Sequence, residues 1–552
     1  AQRRRATADH GRQPGRVGRG AVIDLEAHGL IAPATPARYP GGPTSAATVL
    51  SDLVDTHPDH EILIGRNGRY SSVTLDDAAN RVANVLRAHG VAPGDRVAMS
   101  LPNDTDIVVA FLGTMRAGAM WLGINRALAP PEKQYVLADS GASVYLGDPD
   151  MTAQIGLHLD DLPELDHVIT VDPGGTHDEW YARLADASAD PTEVAVERGD
   201  PAALAYTSGT TGFPKGVVHT HHNLLLPGAV AMHTQGSDWH GRVGVALPLT
   251  ILNLMVLGPL AAWQRKQALV AMDRIDAVGI AEWVSDEAIT TFSAVPSMVH
   301  DLLTHDDVTD EMLTTLDGIG VGGADMPDAF RRMYQERFGR PVGTGYGLTE
   351  APTAVTVEDP AEEPVPGTCG KALPQVEIVI RDPTGAPLGP GEVGEVCVAP
   401  SQEGVFADVY RPMLGYWNRP DESAESLRDG LLNTGDLGML DADGHLFIKD
   451  RKHDLVIRGG ANVYPAEVER VLHDDARVAA CAVFGVPDER LGERLVGCVQ
   501  LVDGALASGD DLIAHCVGRV ADYKVPDELR LVDDFVRTPM GKIKKTVLRD
   551  QW

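Results

Sequence analysis

The chain has 552 residues, 43% of them hydrophobic, and a formal net charge of −32 at pH 7. This length exceeds what one hydrophobic core accommodates, so we expect roughly two to four domains or subdomains. The negative charge repels nucleic acids and anionic membrane surfaces, and we expect neither as a partner. Such an acid excess is also typical of proteins that work at high salt, where screening weakens the self-repulsion.

No segment of the sequence predicts a transmembrane helix. The longest strongly apolar stretch, residues 252–263, is interrupted by Pro259 and is too short to cross a bilayer. The five cysteines form no C-x-x-C pair, which is typical of reduced and buried thiols. These features predict a cytoplasmic protein with no integral membrane segment. The oligomeric state stays open, a homo-oligomer included.

The first part of the chain divides into a tail and an α/β pattern. Residues 1–20 hold six arginines and one aspartate, and we expect a disordered tail there. A helix is predicted from Thr74 to about Gly90, because apolar residues recur at helical spacing. Residues 93–104 then predict a turn, a buried strand and a second turn. The alternation continues to about residue 150 and indicates an α/β fold with largely parallel strands.

Residues 206–216, YTSGTTGFPKG, have the composition of a phosphate-binding loop. Glycine lets the backbone approach an anion closely, while the hydroxyl groups and Lys215 add donors and positive charge. We expect a strand at 202–206 before the loop and a helix from about His222 after it. The spacing G-x-x-G-x-x-K differs from the Walker A pattern, which disfavours a P-loop NTPase.

Two other local patterns indicate sites that we disfavour. Residues 318–323, GIGVGG, match the dinucleotide-binding pattern, but they lie in mid-chain and Met326-Pro327 follows at once. The histidine cluster of residues 219–222 has no cysteine or acidic residue nearby at metal-ligand spacing. We therefore expect neither a nicotinamide cofactor nor a metal at these places.

The predicted secondary structure changes in the last third of the sequence. Beyond residue 365 short strands alternate with turns, which predicts an antiparallel β-rich subdomain. A small α+β module follows, with Pro465 at the start of a helix. We accordingly place a tail at 1–20, an N-terminal domain at 21–451 and a C-terminal domain at 452–552.

Four blocks of the sequence, in this order, resemble the adenylate-forming superfamily of acyl-CoA synthetases, amino-acid-activating domains of peptide synthetases and firefly-type luciferases. The blocks are YTSGTTGFPKG at 206–216, YGLTE at 346–350, the segments NTGDLGMLDADGHLFIKDRKHD at 433–454 and RGGANVYPAEVE at 458–469, and TPMGKIKKTVLR at 538–549. The resemblance implies a large N-terminal domain of parallel α/β subdomains plus a β-rich subdomain, and a small mobile α+β C-terminal domain. It also implies that the protein uses ATP, Mg²⁺ and coenzyme A.

The resemblance assigns nucleotide-binding roles to residues of these blocks. Thr349 would contact the α-phosphate and Glu350 would hold Mg²⁺, a cation that prefers oxygen ligands. Tyr346 would stack on adenine, and Asp436 with Arg451 would hold the ribose. The β- and γ-phosphates would be held by Thr207, Ser208, Gly209, Thr210, Thr211, Gly212 and Lys215. The rest of the nucleotide site would comprise Gly322, Gly323 and Ala324 opposite the tyrosine, and Gly347.

The C-terminal blocks imply a reaction in two steps. Lys542 resembles the catalytic lysine that bridges carboxylate and α-phosphate oxygens during adenylate formation. The small domain would then rotate about a hinge at 452–453, where His453 replaces the aspartate or lysine usual in the family. This rotation would bring the segment Arg458-Gly459-Gly460 into place as part of a thiol tunnel.

The segments that would line the acid pocket are largely apolar. They are residues 248–255, 292–300, 318–324 and 349–355, and Glu350 is their one acidic residue. Amino-acid-activating relatives use an aspartate to hold the substrate ammonium group, so we do not expect an amino acid. The chain departs from the family at Thr250-Ile251, where many acyl-CoA synthetases have an aromatic-histidine pair, and at Thr344, where many members carry Gln or Asn.

The expected function is an acyl-CoA synthetase for a hydrophobic carboxylic acid, whether fatty, medium-chain or aromatic. ATP would convert the acid to an acyl-adenylate with release of pyrophosphate, and the acyl group would then pass to the thiol of coenzyme A with release of AMP. An acyl-AMP ligase that loads a carrier protein is an alternative. A catalytically inactive nucleotide-binding regulatory protein is an alternative of another class.

Overall fold

The computed structural model describes residues 23–32, 34–37, 42–173, 179–207, 214–322, 328–339, 342–359, 362–363, 365–451, 454–458, 461–488, 491–520, 522–538 and 541–552. The tail predicted at 1–20 and the hinge predicted at 452–453 lie outside the described residues.

The helices alternate with strands through most of the N-terminal region. A single π-helical turn among the described residues, Val256–Leu260, joins α8 to α9. The α-helices are α1 Ser51–Thr56, α2 Ser72–Ala88, α3 Thr105–Arg116, α4 Pro130–Ser140, α5 Pro149–Gly156, α6 Glu179–Asp186, α7 His221–Gln235, α8 Leu252–Met255, α9 Ala261–Gln264, α10 Ala277–Glu287, α11 Pro296–Thr304, α12 Asp328–Phe338, α13 Pro420–Ser426, α14 Pro465–His473, α15 Gly509–Cys516 and α16 Lys545–Asp550.

The strands form several sheets. In chain order they are β1 Glu61–Ile64, β2 Arg69–Ser71, β3 Arg96–Ser100, β4 Met120–Gly123, β5 Val144–Gly147, β6 His167–Thr170, β7 Pro201–Thr207, β8 Lys215–Thr220, β9 Arg242–Val245, β10 Ala268–Ala271, β11 Thr291–Ala294, β12 Gly318–Val321, β13 Gly343–Thr344, β14 Gly347–Leu348, β15 Thr353–Ala354, β16 Thr356–Val357, β17 Lys371–Ala372, β18 Val376–Arg381, β19 Gly394–Pro400, β20 Gly415–Tyr416, β21 Leu432–Leu440, β22 Leu446–Arg451, β23 Val456–Arg458, β24 Ala461–Val463, β25 Val478–Asp488, β26 Gly492–Leu501 and β27 Glu528–Leu531.

The first sheet has the strand order β20-β8-β7-β4-β3-β5-β6. Strands β7, β4, β3, β5 and β6 run parallel, as the alternating pattern predicts. Strand β8 is antiparallel to β7, and β20 is antiparallel to β8. No strand is predicted at 215–220, yet β8 lies there, between the phosphate loop and α7. The loop therefore connects two strands of a hairpin, and a helix does not follow it directly.

The second sheet has the order β13-β12-β11-β9-β10-β1-β2 and is parallel except for β2. The carboxyl ends of β9, β11, β12 and β13 consequently meet at one edge, where ligand sites of parallel sheets are usually found. Gly318 and Gly320 lie within β12. They do not follow a strand, as the glycines of a dinucleotide site must.

One hydrophobic core joins the two parallel sheets. Met99 and Trp121 of the first sheet belong to the same cluster of buried side chains as Val245 and Leu269 of the second. Helices α2 and α3 contribute to this cluster as well, and they pack against each other. The two sheets thus form one packed unit, and segments from both can contribute to one site.

Helix α2 begins slightly earlier than predicted. Its N-cap is Ser71, whose hydroxyl oxygen accepts a hydrogen bond from the Thr74 backbone amide, while the Thr74 hydroxyl accepts one from the Ser71 amide. This reciprocal cap satisfies two amides that the helix leaves unpaired, and it moves the start from Thr74 to Ser72. The helix ends at Ala88, and Gly90 follows with a φ of 82°.

The last third of the chain is β-rich, as predicted. Strands β18, β19, β21 and β22 form an antiparallel sheet. The C-terminal region holds the sheet β24-β23-β26-β25, with β27 parallel to β26, and helices α14 to α16. The Asp450 carboxylate at the end of β22 accepts a hydrogen bond of 2.9 Å from the amide of Ala466, the second residue of α14. This contact ties the helix to the strand that precedes the predicted hinge.

The described residues include no helix long and apolar enough to cross a membrane. The five cysteines are free thiols, and all but Cys369 are buried. The mixed α/β architecture with parallel sheets, a β-rich region and a C-terminal α+β region confirms the predicted fold class.

Candidate active site

The two ends of the predicted phosphate loop lie side by side. Thr207, the last residue of β7, is paired with Lys215, the first residue of β8. The Tyr206 hydroxyl, one residue before the loop, donates a hydrogen bond of 2.7 Å to the Asp139 carboxylate on α4. The hairpin therefore has a fixed base. The predicted phosphate-binding residues between its ends, Ser208, Gly209, Thr210, Thr211 and Gly212, lie outside the described residues.

Lys215 is held at this base by two neighbours. Its ammonium nitrogen lies 3.8 Å from a carboxylate oxygen of Glu422 on α13 and 5.1 Å from the centre of the Tyr416 ring. The side chain is 17% exposed. A cation stacked on an aromatic face is stabilised by the quadrupole of the ring. The arrangement keeps the ammonium group of Lys215 beside the loop, where it could pair with an anionic ligand.

Glu350 lies in a turn after β14. Its backbone carbonyl accepts a hydrogen bond of 3.0 Å from the Met413 amide. Its carboxylate oxygen Oε1 accepts one of 2.9 Å from the Tyr416 hydroxyl. No Lys, Arg or His among the residues that the structure describes forms an ion pair with it. The half-buried carboxylate accepts one hydrogen bond from Tyr416 through Oε1, and its other oxygen can bind a ligand.

A buried histidine supports Thr349. The Nε2 atom of His219 lies 2.6 Å from the Thr349 carbonyl oxygen. Its Nδ1 atom lies 3.1 Å from Nδ2, the side-chain amide nitrogen of Asn223. Burial lowers the pKa of His219 to about 4, although the carbonyl contact opposes this shift. The ring is neutral near pH 7 and therefore has one N–H group. Because a carbonyl oxygen can only accept a hydrogen bond, this N–H is at Nε2 and donates to the Thr349 carbonyl.

The other histidines of the cluster have comparable surroundings. The Nε2 atom of His222 lies 2.8 Å from the Val409 carbonyl oxygen. Burial lowers the pKa of His221 to about 3 and that of His222 to about 4. Both rings lie in the core, and His222 joins α7 to the segment before Tyr416. They have a structural role in the described part of the molecule.

The YGLTE and NTGD blocks are in direct contact. The Tyr346 hydroxyl donates a short hydrogen bond to the carboxylate of Asp436, whose residue is only 3% exposed. Arg451 on β22 lies opposite Asp436 on β21 in the antiparallel register. The residues predicted to hold adenine and ribose thus lie together.

Four other residues belong to the predicted adenine site, and the structure describes two of them, Gly322 and Gly347. Gly322 follows β12, and a Cβ built there would meet no atom within 4 Å among the described residues, so space is open beside it. Gly347 begins β14 and is exposed. Gly323 and Ala324 lie outside the described residues.

Thr344 stands at the position where many family members carry Gln or Asn. Its hydroxyl group donates a hydrogen bond to the Glu358 carboxylate, and that carboxylate lies 3.1 Å from the guanidinium group of Arg331.

The segments predicted to form the acid pocket follow neighbouring strands of the second sheet. Residues 248–255 come after β9, Pro296 comes after β11, and Gly322 comes after β12. The Gly322 amide donates a hydrogen bond of 3.2 Å to the Ala294 carbonyl, which joins two of these segments directly. Apolar residues such as Leu252 and Met255 dominate this edge. The described parts of these segments thus lie along one edge of the second sheet.

The C-terminal block lies on a tight hairpin turn. The amide of Thr538 donates a hydrogen bond of 2.7 Å to the carbonyl of Lys542, whose residue is exposed. Two residues on, the Lys544 ammonium lies 3.8 Å from a carboxylate oxygen of Glu132 on α4. The hairpin of Lys542 thus contacts the N-terminal region. Gly459 and Gly460 of the predicted thiol tunnel lie outside the described residues, while Arg458 pairs with Asp527.

Three residues of the site are absent from the sequence-based prediction. Tyr416 binds Glu350 and lies against Lys215, Glu422 pairs with Lys215, and His219 supports Thr349. Tyr416 and Glu422 lie in the segment GYWNRPDE, which combines aromatic residues, a proline and acids and spans β20 and the start of α13. That composition is the one signal that could have singled the segment out.

Comparisons with known proteins identify the family of this chain. Residues 50–410 match the family model described as AMP-binding enzyme, and residues 467–542 match the model of the AMP-binding enzyme C-terminal domain. The chain is 33% identical to the long-chain-fatty-acid–CoA ligase FadD13 of Mycobacterium tuberculosis, over 88% of this chain and 93% of that protein. It is 34% identical to the fatty acid–[acyl-carrier-protein] ligase ScoC of Streptomyces coeruleorubidus, over 91% of this chain and 97% of that protein.

The fold is also similar to solved structures. ATP-bound MatB from Rhodopseudomonas palustris, 30% identical, superposes with a TM-score of 0.83 over 92% of this chain and 98% of that chain. The apo form of the same protein, at equal identity and coverage, gives 0.73. This chain is therefore more similar in overall arrangement to the nucleotide-bound form.

The two family models together cover most of the chain, and the curated relatives are ligases. The predictions of family and enzyme class are confirmed. The chain belongs to the AMP-binding enzymes, and it is an AMP-forming acid–thiol ligase.

Proposed function

We propose that this enzyme joins a long or medium-chain fatty acid to coenzyme A through an acyl-adenylate. The observation that carries the proposal is the contact between Tyr346 and Asp436, because it unites the two nucleotide-binding blocks beside an apolar sheet edge. ATP and coenzyme A are the co-substrates of AMP-forming ligases of this family. The nature of the acid, the roles of single residues and the place of Mg²⁺ belong to the proposal.

The residue roles follow the charges of the site. Lys215 and the hairpin from Thr207 to Gly212 would hold the β- and γ-phosphates, and the Thr349 hydroxyl would contact the α-phosphate. Tyr346 would stack on adenine against the open space at Gly322, with Gly323 and Ala324 continuing that wall and Gly347 beside it. Asp436 and Arg451 would hold the ribose. Each of these proposed contacts depends on a chemical group of the residue to which it is assigned.

Glu350 fits a magnesium ligand. Its carboxylate is half-buried, pairs with no cation in the described part of the chain, and presents hard oxygen atoms of the kind that Mg²⁺ prefers. When bound, Mg²⁺ would supply positive charge that neutralises the phosphates. The Glu350 carboxylate would hold the ion.

The reaction joins two anions, so the site must offset their repulsion. In the first step a carboxylate oxygen bonds to the α-phosphorus of ATP, and the bond from that phosphorus to the bridging oxygen of pyrophosphate breaks. Lys542 would stabilise the charge that the carboxylate and α-phosphate oxygens share. In the second step the thiol sulfur bonds to the acyl carbon, AMP leaves with the bonding electrons, and the thiol proton passes to solvent.

The second step requires access for the thiol. We propose that the C-terminal domain, residues 452–552, rotates against residues 21–451 between the two steps. Gly459 and Gly460 would then line the thiol channel, where a side chain larger than hydrogen would narrow it.

An apolar tail suits the acid pocket better than a charged one. The pocket segments offer no acidic partner for an ammonium group besides Glu350, which is assigned to Mg²⁺. A fatty chain gains free energy from transfer into such a pocket, about 0.8 kcal/mol for each buried methylene group. The names of FadD13 and ScoC both specify fatty acids, which supports the same choice.

The acceptor has one alternative, an acyl carrier protein, because ScoC is named as a ligase of that kind. The purified enzyme should be incubated with ATP, Mg²⁺ and acids of increasing chain length, with either coenzyme A or a phosphopantetheinylated carrier protein. Mass spectrometry then identifies the thioester. We expect acyl-coenzyme A to form with the fatty acids. Thioester on the carrier protein alone would replace coenzyme A as the acceptor, and selective use of aromatic acids would overturn the choice of acid.

A further inference from the structure

Tyr416 lies between the two charged groups of the phosphate site without belonging to any of the predicted ligand contacts. Its hydroxyl group donates a hydrogen bond of 2.9 Å to Oε1 of Glu350, 66 residues away in sequence. The ammonium nitrogen of Lys215 lies 5.1 Å from the centre of its ring. One buried side chain, 8% exposed, therefore contacts both the lysine and the glutamate.

The backbone around Tyr416 is fixed by the first sheet. Strand β20 pairs with β8, so that Tyr416 lies opposite Val217. Hydrogen bonds continue this pairing on both sides, from the Leu414 amide to the Val218 carbonyl at 2.8 Å and from the Trp417 amide to the Gly216 carbonyl at 2.7 Å. The position of the phenol is thus set by the same strand that begins at Lys215.

This geometry has a specific consequence for Glu350. A phenol that donates to one carboxylate oxygen restricts rotation of the carboxylate and directs its other oxygen elsewhere. The Tyr416 ring also presents its electron-rich face to Lys215. The cation and the anion of the site are thereby held at fixed places before any ligand binds.

We propose that Tyr416 is a positioning residue, which orients the Glu350 carboxylate to receive the magnesium ion of ATP. This inference rests on the proposed role of Glu350 and adds to it the group that controls its orientation. Tyr416 need not touch substrate or metal. A role in packing alone would leave the magnesium dependence of the enzyme unchanged when the hydroxyl is removed.

Tyr410 provides a matched control. Its residue is 2% exposed, and its hydroxyl oxygen has no hydrogen-bond partner among the described residues. Burial and the nearby Glu350 carboxylate both raise the pKa of Tyr410, so this tyrosine also lies near Glu350. The substitution Tyr410→Phe removes a buried hydroxyl from the same neighbourhood without removing a bond to the carboxylate.

The experiment measures ATP binding by titration calorimetry at a series of Mg²⁺ concentrations, with no acid present. The variants are Tyr416→Phe, Tyr410→Phe, Glu350→Gln and the double variant of Tyr416→Phe with Glu350→Gln. Tyr416→Phe should raise the Mg²⁺ concentration for half-maximal ATP affinity roughly five- to twentyfold, as expected for loss of a hydrogen bond to a charged group. Tyr410→Phe should match the wild type. Adding Tyr416→Phe to Glu350→Gln should cause no further shift, since the two residues act through one contact.

An unchanged magnesium midpoint in a folded Tyr416→Phe variant would overturn the proposal. So would equal shifts in the Tyr416 and Tyr410 variants, or additive shifts in the double variant, because each would place the effect outside the contact with Glu350. Near-ultraviolet circular dichroism and the thermal midpoint report folding. The binding assay needs no acid, so a failure of acid activation would refute the proposed function while this test still decides the role of Tyr416. A wild type that does not bind ATP would refute both.

Discussion

The hydroxyl group of Tyr346 is hydrogen-bonded to the carboxylate of Asp436 across 90 residues of sequence. Tyr346 lies just before β14 and Asp436 lies within β21, so the bond joins two separate sheets. An aromatic face suited to a base and a carboxylate suited to ribose hydroxyls are thereby fixed relative to each other. The same bond also restrains the carboxylate of Asp436, which is buried.

Asp436→Asn should weaken nucleotide binding. A carboxylate can accept two ribose hydroxyl protons, and an amide can accept only through its oxygen, so we expect the KM for ATP to rise roughly 10- to 100-fold. Steady-state kinetics with varied ATP checks this. Tyr346→Phe is the companion variant, because it keeps the ring and removes the hydroxyl group that is bonded to Asp436, and its effect should be smaller. An unchanged KM for ATP in Asp436→Asn would remove Asp436 from the ribose site.

His219→Leu should slow adenylate formation. The substitution leaves the carbonyl of Thr349 without its donor, and an unpaired buried polar group costs about 1–3 kcal/mol. Thr349 would relax from its proposed place beside the phosphates, so the rate of pyrophosphate exchange should fall about tenfold or more. The matched variant His219→Gln keeps a side-chain donor and should recover part of the rate. Equal rates in both variants and the wild type would show that this contact does not position Thr349.

Lys542→Ala should separate the two steps of the reaction. If the lysine stabilises charge only while the adenylate forms, that step should slow by roughly 10²–10⁴-fold, as when other charge-stabilising groups are removed. Thioester formation from supplied acyl-adenylate should persist. Lys544→Ala is the control, because Lys544 lies on the same hairpin and pairs with Glu132 instead. Equal loss of both steps would argue against a role confined to the first.

Asp106 should make stability depend on pH. Burial raises its pKa from 3.8 to about 6, although the Tyr181 hydroxyl donates a hydrogen bond of 2.8 Å to its carboxylate. Because the protonated form is favoured in the folded state, this contribution to stability is fully present below about pH 3.8 and is lost as the pH rises through 6. Asp106→Asn carries no charge at either pH. We expect its free energy of unfolding to exceed that of the wild type by roughly 1–3 kcal/mol at pH 8 and to match it near pH 4.

Urea unfolding at the two pH values measures this difference. Asp55→Asn, which removes one charge from an exposed position on α1, controls for the change in net charge. The same difference at both pH values would show that Asp106 does not titrate in this range.

The acidic surface predicts activity in concentrated salt. With a net charge of −32, self-repulsion is large at low salt, and about 1 M KCl shortens the screening length to roughly 3 Å. We therefore expect activity and the thermal midpoint to be retained or raised on going from 0.1 M to about 1 M KCl. Progressive inactivation over that range, with the protein still folded, would contradict the interpretation of the charge as an adaptation to salt.

The sequence predicts those parts of the molecule that depend on local pattern. The strand before the phosphate loop and the helices that begin near His222 and at Pro465 are recovered, because their spacing or proline position is a local signal. The start of α2 is displaced from Thr74 to Ser72, because two residues could form the cap and the structure uses Ser71.

Contacts between distant segments could not be predicted in this way. Strand β8 pairs with β7 on one side and with β20 on the other, and both partners lie outside its own sequence. The bond from Tyr416 to Glu350 requires β20 to be in register with β8, and no local pattern specifies that register. The support of Thr349 by His219 likewise depends on two segments 130 residues apart. The chemistry of the site could thus be inferred from motifs, while the groups that orient it required the fold.

The most direct test is exchange of labelled pyrophosphate into ATP by the purified protein, with and without fatty acids of increasing chain length. Exchange requires reversible formation of an acyl-adenylate and does not depend on the acceptor. We predict exchange that needs the acid, is strongest with hydrophobic tails, and is lost in Asp436→Asn combined with Lys542→Ala. Absence of exchange with every acid, or exchange that persists in the double variant, would contradict the assignment of this site.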